Sequence, residues 1–376
     1  MLYKFEKDFK HYDRLIESYQ HVPQDEIVKN ACKNKNEIKI INPPISMLKL
    51  LQLLEKDETH YACVDAIAES CFIKFHCKDK NVKEFFDNIQ LPKAEDITSI
   101  LSDFIHYYIA CGNGFLQKMR NFAGKWVGLN RLIPSEVQII EKYDNYGFLN
   151  PDYIQIKNNQ KKIFKGKDII HLLQRNSLSN AWGVACKPII IYIETLYENK
   201  QFDYNQFKNG LLIDYIIMVE GGSLSEKQSY TDSNGKIIEI DPFNELQNLF
   251  YNAKGNKNSH GTILIETPDP NAKIRLEPLR INENNFIELK KDIRGQITTY
   301  HRVPPRLISK ETPGKLGGDD NSDLELFYST VIQPLQQRVK QTLANEFYNE
   351  FKWKINPDDF DFGNIAEIAE TNNFKL

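Results

Sequence analysis

Apolar residues along this chain recur with two periods, and the switches between them predict a mixture of helices and strands. Phe5, Phe9, Tyr12, Ile16 and Tyr19 step by four and three, which places them on one face of an amphipathic N-terminal helix. "INPPISMLKLL" opens with Pro43 and Pro44, offers Ser46 as a cap and continues with helical spacing through Leu50, Leu51 and Leu54; another helix follows around Tyr61 to Cys71. "AEDITSILSDFIHYYIACGNG" sets Ile97, Leu101, Phe104, Ile105 and Tyr108 on one face and stops at Gly112 and Gly114. There the period drops to two. "GFLQKMRNFAGKWVGLNRL" alternates about a turn at Ala123–Gly124 and "DYIQIKNNQKKIFKG" about Asn158–Asn159, so both read as β-hairpins. A long helix over "ACKPIIIYIETLYENKQFDYNQFKNG" stops at Gly210; a strand "LLIDYIIMVEGG", a polar stretch, a helix near "FNELQNLFYNAKG" and a strand "GTILIE" come next. The pattern is that of an α+β fold.

The next helix, "NNFIELKKDIRGQITTY", carries a narrow stripe of Phe286, Leu289, Ile293, Ile297 and Tyr300. Lys290, Lys291 and Arg294 flank it on one side, Glu288 and Asp292 on the other. Opposite signs on two flanks suit a ring of identical helices, each basic flank meeting its neighbour's acidic one; a surface helix with solvated charges carries the same pattern. "HRVPPRL" then ends the helix: a residue before proline is pushed out of the α region, so Val303, Pro304 and Pro305 are expected to stop it between Arg302 and Arg306. A loop from Ser309 to Ser322 and one long helix from Asp323 to Phe351 complete the pattern.

Composition narrows the function. With 376 residues, 41% hydrophobic, the chain is long enough for two domains or one elaborate one, and too apolar for disorder. Its 48 basic and 51 acidic side chains give a net charge of −3, which disfavours tight non-specific binding of nucleic acid through counterion release. No apolar run is long enough for a membrane span, and the N-terminus lacks a signal-peptide core. Six cysteines without paired spacing read as buried thiols in a chain folded in a reducing cytoplasm.

Candidate chemistry is sparse. No GxxxxGK[ST] loop, dinucleotide fingerprint or Gly-x-Ser-x-Gly turn occurs, and "CGNG" ends a helix where a phosphate cradle would begin one. Asp168 three residues before His171 suits a metal-dependent nucleic-acid enzyme, although the apolar neighbours of His171 favour a structural strand. Lys161, Lys162, Lys165 and Lys167 read as a solvated hairpin edge before a phosphate contact, and Asp319 and Asp320 as loop residues before a cation site. No metal, cofactor or catalytic residue is assigned.

The succession of these segments is more specific than any one of them. "NPPISMLKLL", "FIHYYIACGNGFLQK" with "VGLNRLIPSEV", "DIIHLL" with "WGVACKPII", "FKNG", and "HRVPPRLISKETPGKLGG" with "IQPLQQRVKQTLANEF" resemble, in that order, tailed-bacteriophage portal proteins of the short PBSX type over roughly residues 40–355. The resemblance implies a portal fold with a mixed α/β wing domain, a stem helix and a clip region, assembled as a ring, typically of twelve, at one capsid vertex of the virion. It implies a non-enzymatic channel for double-stranded DNA, driven in by terminase and released into the tail. Its partners would be other copies of the chain, terminase, the major capsid or scaffolding protein and head-completion or tail-connector proteins, with no membrane and no cofactor. The domains so implied are an N-terminal helical arm (1–40), wing (41–283), stem helix (284–303), clip-like region (304–355) and tail (356–376). Lys290, Lys291 and Arg294 become candidates for transient DNA contact, Glu288 and Asp292 for subunit contact, and Arg302, Val303, Pro304, Pro305 and Arg306 for the stem–clip junction. A monomeric adaptor of a prophage-derived particle is the non-enzymatic alternative.

Overall fold

A computed structural model describes residues 38–92, 95–209, 212–220, 228–231, 237–240, 260–267, 275–278, 283–308 and 320–366. The chain begins with β1 (Ile40–Ile41), α1 (Met47–Lys56), α2 (Glu58–Cys71), β2 (His76–Cys77), α3 (Lys80–Asp87) and α4 (Ile97–Cys111). Six strands follow: β3 (Asn113–Arg120), β4 (Trp126–Leu132), β5 (Val137–Ile140), β6 (Asp152–Lys157), β7 (Gln160–Phe164) and β8 (Ile169–Leu173). Next come α5 (Ile190–Asn209), β9 (Leu212–Glu220), β10 (Gln228–Thr231), β11 (Ile237–Ile240), β12 (His260–Thr267) and β13 (Arg275–Pro278). The chain continues through α6 (Glu283–His301), α7 (Asp320–Phe327), α8 (Gln333–Phe351) and β14 (Phe360–Asp361). Two compact units result: Met1–Glu194 together with Arg294–Leu376, and Thr195–Ile293.

The first unit is built as the periodicity predicts. Ser46 caps α1, and Asp96 caps α4 by accepting from the Ser99 N–H at 2.7 Å. Gly112 ends α4 with φ of +85°, and a Cβ there would lie 2.6 Å from the Val184 nitrogen, so only glycine fits. Both hairpins form, the second through left-handed Asn158 and Asn159, the pair a tight primed turn demands. The strands make a three-stranded sheet, β4-β3-β8, and a four-stranded sheet, β1-β5-β6-β7. The lysine-bearing β7 is an edge strand, in keeping with lysines that protect an open edge.

One core joins segments far apart in the sequence. Ile67 of α2, Phe104 of α4, Trp126 of β4 and Ile170 of β8 are buried with Phe327, Val339, Leu343 and Phe347 of the C-terminal helices. Each such side chain contributes roughly 1.5–3 kcal/mol through the apolar surface it removes from water. Residues 304–355, expected as a separate clip-like region, therefore share their core with the expected wing. Charges reinforce the seam: Arg120 of β3 grips Glu350 of α8 with two bonds of 2.5 and 2.9 Å and reaches Asp168 at 2.6 Å.

The long helix expected over 323–351 is interrupted. Pro334 has no N–H to return to residue 330, and its ring would strike that carbonyl. A π-helical turn at Tyr328–Ile332 absorbs the conflict, with the Gln333 N–H reaching back five residues to Tyr328.

In the second unit β9 is central, with β12 parallel on one side and β13 antiparallel on the other; β10 and β11 pair separately. A parallel pair requires a crossover, and the helix expected near 243–255 lies outside the described residues, as do the N-terminal helix and most of the loop after Ile308.

Candidate functional site

Helix α6 and its C-terminus hold most of the residues that sequence reasoning selected. Ile293 and Ile297 are buried and Tyr300 is partly buried, but Leu289 is 41% exposed, so the apolar stripe is covered only toward the C-terminal end. The side chain of Phe286 lies outside the described residues. The three candidate cations differ: Lys290 pairs with Asp203 of α5, Arg294 pairs with Glu58 at the start of α2, and Lys291 is exposed. Glu288 and Asp292, the candidate subunit contacts, are exposed as well.

The helix stops earlier than the prolines alone require. The Val303 N–H bonds to the Thr298 carbonyl at 3.3 Å and the Arg302 N–H to that of Thr299 at 3.1 Å, the paired reverse bonds of a Schellman closure. Arg302 occupies the left-handed position with φ of +56°, where glycine is usual and an L side chain costs about 1–2 kcal/mol. Val303 is buried beneath the closure, and Pro305 begins a 3-10 turn running to Ile308. The prolines thus prevent continuation, whereas Arg302 and Val303 make the stop.

Behind this end lies a buried polar chain that sequence spacing concealed. His60 Nδ1 is 2.9 Å from His301 Nε2, and its other ring nitrogen is 4.0 Å from Cys186 Sγ; the Cys186 N–H donates to the Tyr300 hydroxyl at 3.0 Å. Among the described residues these three side chains are the group that brings three metal-ligating atoms close together. His60 turns different nitrogens toward its two partners, so the lone pairs do not converge on one point as a metal ion needs. Burial pushes His301 down to about 4, His60 well below the usual histidine range and the Cys186 thiol up. Neutral rings and a protonated thiol suit a hydrogen-bonded chain.

The enzymatic pair is dispersed. Asp168 binds Arg120, whereas His171 stacks on Phe115 at 4.2 Å between centroids and sits 3.1 Å from Asn113 Oδ1 and 3.4 Å from the Tyr153 hydroxyl. Burial lowers its pKa to about 3. Asp320 opens α7, and Asp319 lies outside the described residues.

Asn113, in "CGNG", is the residue that sequence reasoning undervalued. It is fully buried; its Nδ2 donates to the carbonyls of Gly183 at 2.9 Å and Cys111 at 3.2 Å, and its Oδ1 accepts from the Gly183 N–H at 2.8 Å. The two flanking glycines let the backbone approach closely: a Cβ on Gly112 would fall 2.6 Å from the Val184 nitrogen and one on Gly114 2.6 Å from the Phe104 oxygen. An asparagine set between two glycines was the available signal.

The model of the family described as phage portal protein matches residues 95–373. This chain belongs to the phage portal protein family. In fold, the portal chain is similar to a chain in the virion of a native gene transfer agent particle, with 15% identity over 92% of each chain and a TM-score of 0.61. It is similar to a chain in the neck of the native particle, determined with C12 symmetry (17% identity, 92% of this chain and 91% of that one, TM-score 0.61). A chain in the neck of the empty particle, determined with C6 symmetry, gives 16% identity, 89% of each chain and a TM-score of 0.62. No curated protein matches the sequence. The portal family match spans α4 through β14, so the Asn113 junction, the Schellman closure and the π turn all fall inside it.

Proposed function

We propose that this portal chain assembles into a ring channel at one capsid vertex, through which terminase drives double-stranded DNA into the head and from which DNA leaves into the tail. The observation that carries this reading is the family match over residues 95–373. Fold similarity over about nine-tenths of both chains to components of symmetric particle necks supports the ring. The proposed work is mechanical and needs no catalytic residue. Head and tail-connector proteins would be its further partners, the virion its final place and the host cytoplasm its place of assembly.

In this reading α6 is the stem helix, ending at His301 and not at the expected residue 303, with the exposed Glu288 and Asp292 directed to neighbouring copies. Residues 304–355 share the wing core, so the clip is better placed in the excursion between α5 and α6. Lys290 and Arg294 are already neutralised within the chain, which leaves Lys291 as the main cation for fleeting contact with a passing duplex. Co-expression with the capsid proteins and terminase of its own element tests the role: heads lacking this chain should contain no DNA, and filled heads without it would overturn the proposal. Lys291→Gln should reproduce most of the change in packaging yield caused by replacing Lys290, Lys291 and Arg294 together, with ring formation unaltered.

A further inference from the structure

Next to the end of α6, in the first unit, lies a cavity of about 390 Å3 whose walls include Arg175, Arg302 and Arg338, with Gln174, Tyr108 and Tyr300 between them. No carboxylate is among its lining residues. Three other arginines of this unit carry carboxylate partners: Arg120 with Glu350 and Asp168, Arg131 with Glu95 and Asp103, Arg294 with Glu58. Three guanidinium groups around one concavity repel one another, and low-dielectric walls concentrate their field on whatever enters. In a chain of net charge −3 this gathering of positive charge is local, not a consequence of composition.

Two features give the arrangement a direction. Arg302 stands where the Schellman closure favours glycine, so its backbone is held in a costly conformation while its side chain lines the cavity. Arg338 is oriented by a hydrogen bond to the Tyr108 hydroxyl and by the Tyr108 ring, 5.7 Å from its guanidinium carbon. All three arginines are solvent-exposed residues, so a ligand can reach them.

We propose that this cavity is a phosphate-binding site, taking either a backbone phosphate of duplex DNA or a free phosphate group. Guanidinium forks match phosphate oxygens two at a time, and Gln174 with the tyrosine hydroxyls adds neutral donors. Phosphate binding does not depend on the portal reading; only the identification of DNA as the source rests on it.

The test uses the full-length protein in the assembly it forms, titrated separately with inorganic phosphate and with a short blunt DNA duplex. At least one probe should bind saturably, and which one does identifies the source. Arg175→Gln, Arg302→Gln and Arg338→Gln should each weaken binding about tenfold, as loss of a charge-assisted hydrogen bond does, and reduce the salt slope for the duplex by about 1. Lys165→Gln, on the lysine hairpin, should leave it unchanged. Arg302→Gly separates binding from folding: its melting temperature should stay level or rise while affinity falls. Absence of saturable binding by both probes overturns the site, as does a loss in the hairpin variant equal to that in the arginine variants. Rings seen by electron microscopy without phosphate binding would sink this site and leave the portal reading standing.

Discussion

Replacing Asn113 by leucine is expected to destabilise the first unit by about 4 kcal/mol, because the change removes hydrogen bonds without removing the groups they satisfy. The Gly183 N–H and carbonyl, the Cys111 carbonyl and the His171 ring would all lose a buried partner. Leucine keeps the branching and the number of heavy atoms, so cavity formation does not supply the effect. Urea unfolding should show a lower midpoint with an unchanged slope. A loss below about 1 kcal/mol would mean that water or backbone movement satisfies those groups, and that the junction between α4, β3 and the Gly183 loop is not set by this side chain.

Acidification should weaken the fold well before the carboxylates titrate. Burial holds His301 at about 4, and burial together with the neighbouring His301 and His106 holds His60 well below its usual range. In the unfolded chain both titrate near 6.5. Their contribution is therefore complete above about pH 6.5; below it the unfolded state takes up protons that the folded state refuses, and stability falls until the folded pKa is reached. His301 alone contributes up to about 1.4 kcal/mol per pH unit, or about 2 kcal/mol lost by pH 5. His171, held at about 3, acts in the same direction. Urea midpoints measured at pH 7, 6 and 5 should fall progressively, and His301→Gln should flatten the slope. A midpoint constant or rising toward pH 5 would show that these rings are charged in the folded state.

Local periodicity made most elements legible. Ser46, Gly112 and the Asn158–Asn159 turn act through neighbours a few residues away, so they can be read from one short stretch. The π turn is not legible in the pattern although Pro334 lies inside the helix expected over 323–351: apolar spacing tells which face a helix buries and not how the backbone absorbs a missing N–H. The shared core of residues 304–355 with α2 and α4 escaped likewise, since amphipathic spacing says which face is buried and not against what. Distance along the chain hid the polar groups too. His60, Cys186 and His301 come from three remote segments, and so do Arg175, Arg302 and Arg338. The basic residues that sequence reasoning placed on α6 were legible as a flank, but their partners Asp203 and Glu58 lie on other helices.

The central claim is a closed ring of identical subunits, and native mass measurement addresses it most directly. Twelve copies of the 43.8 kDa chain come to about 526 kDa, and images of that species should show an annulus with a central hole. A single 43.8 kDa species persisting at high concentration, together with particle necks that lack the chain, would contradict the account.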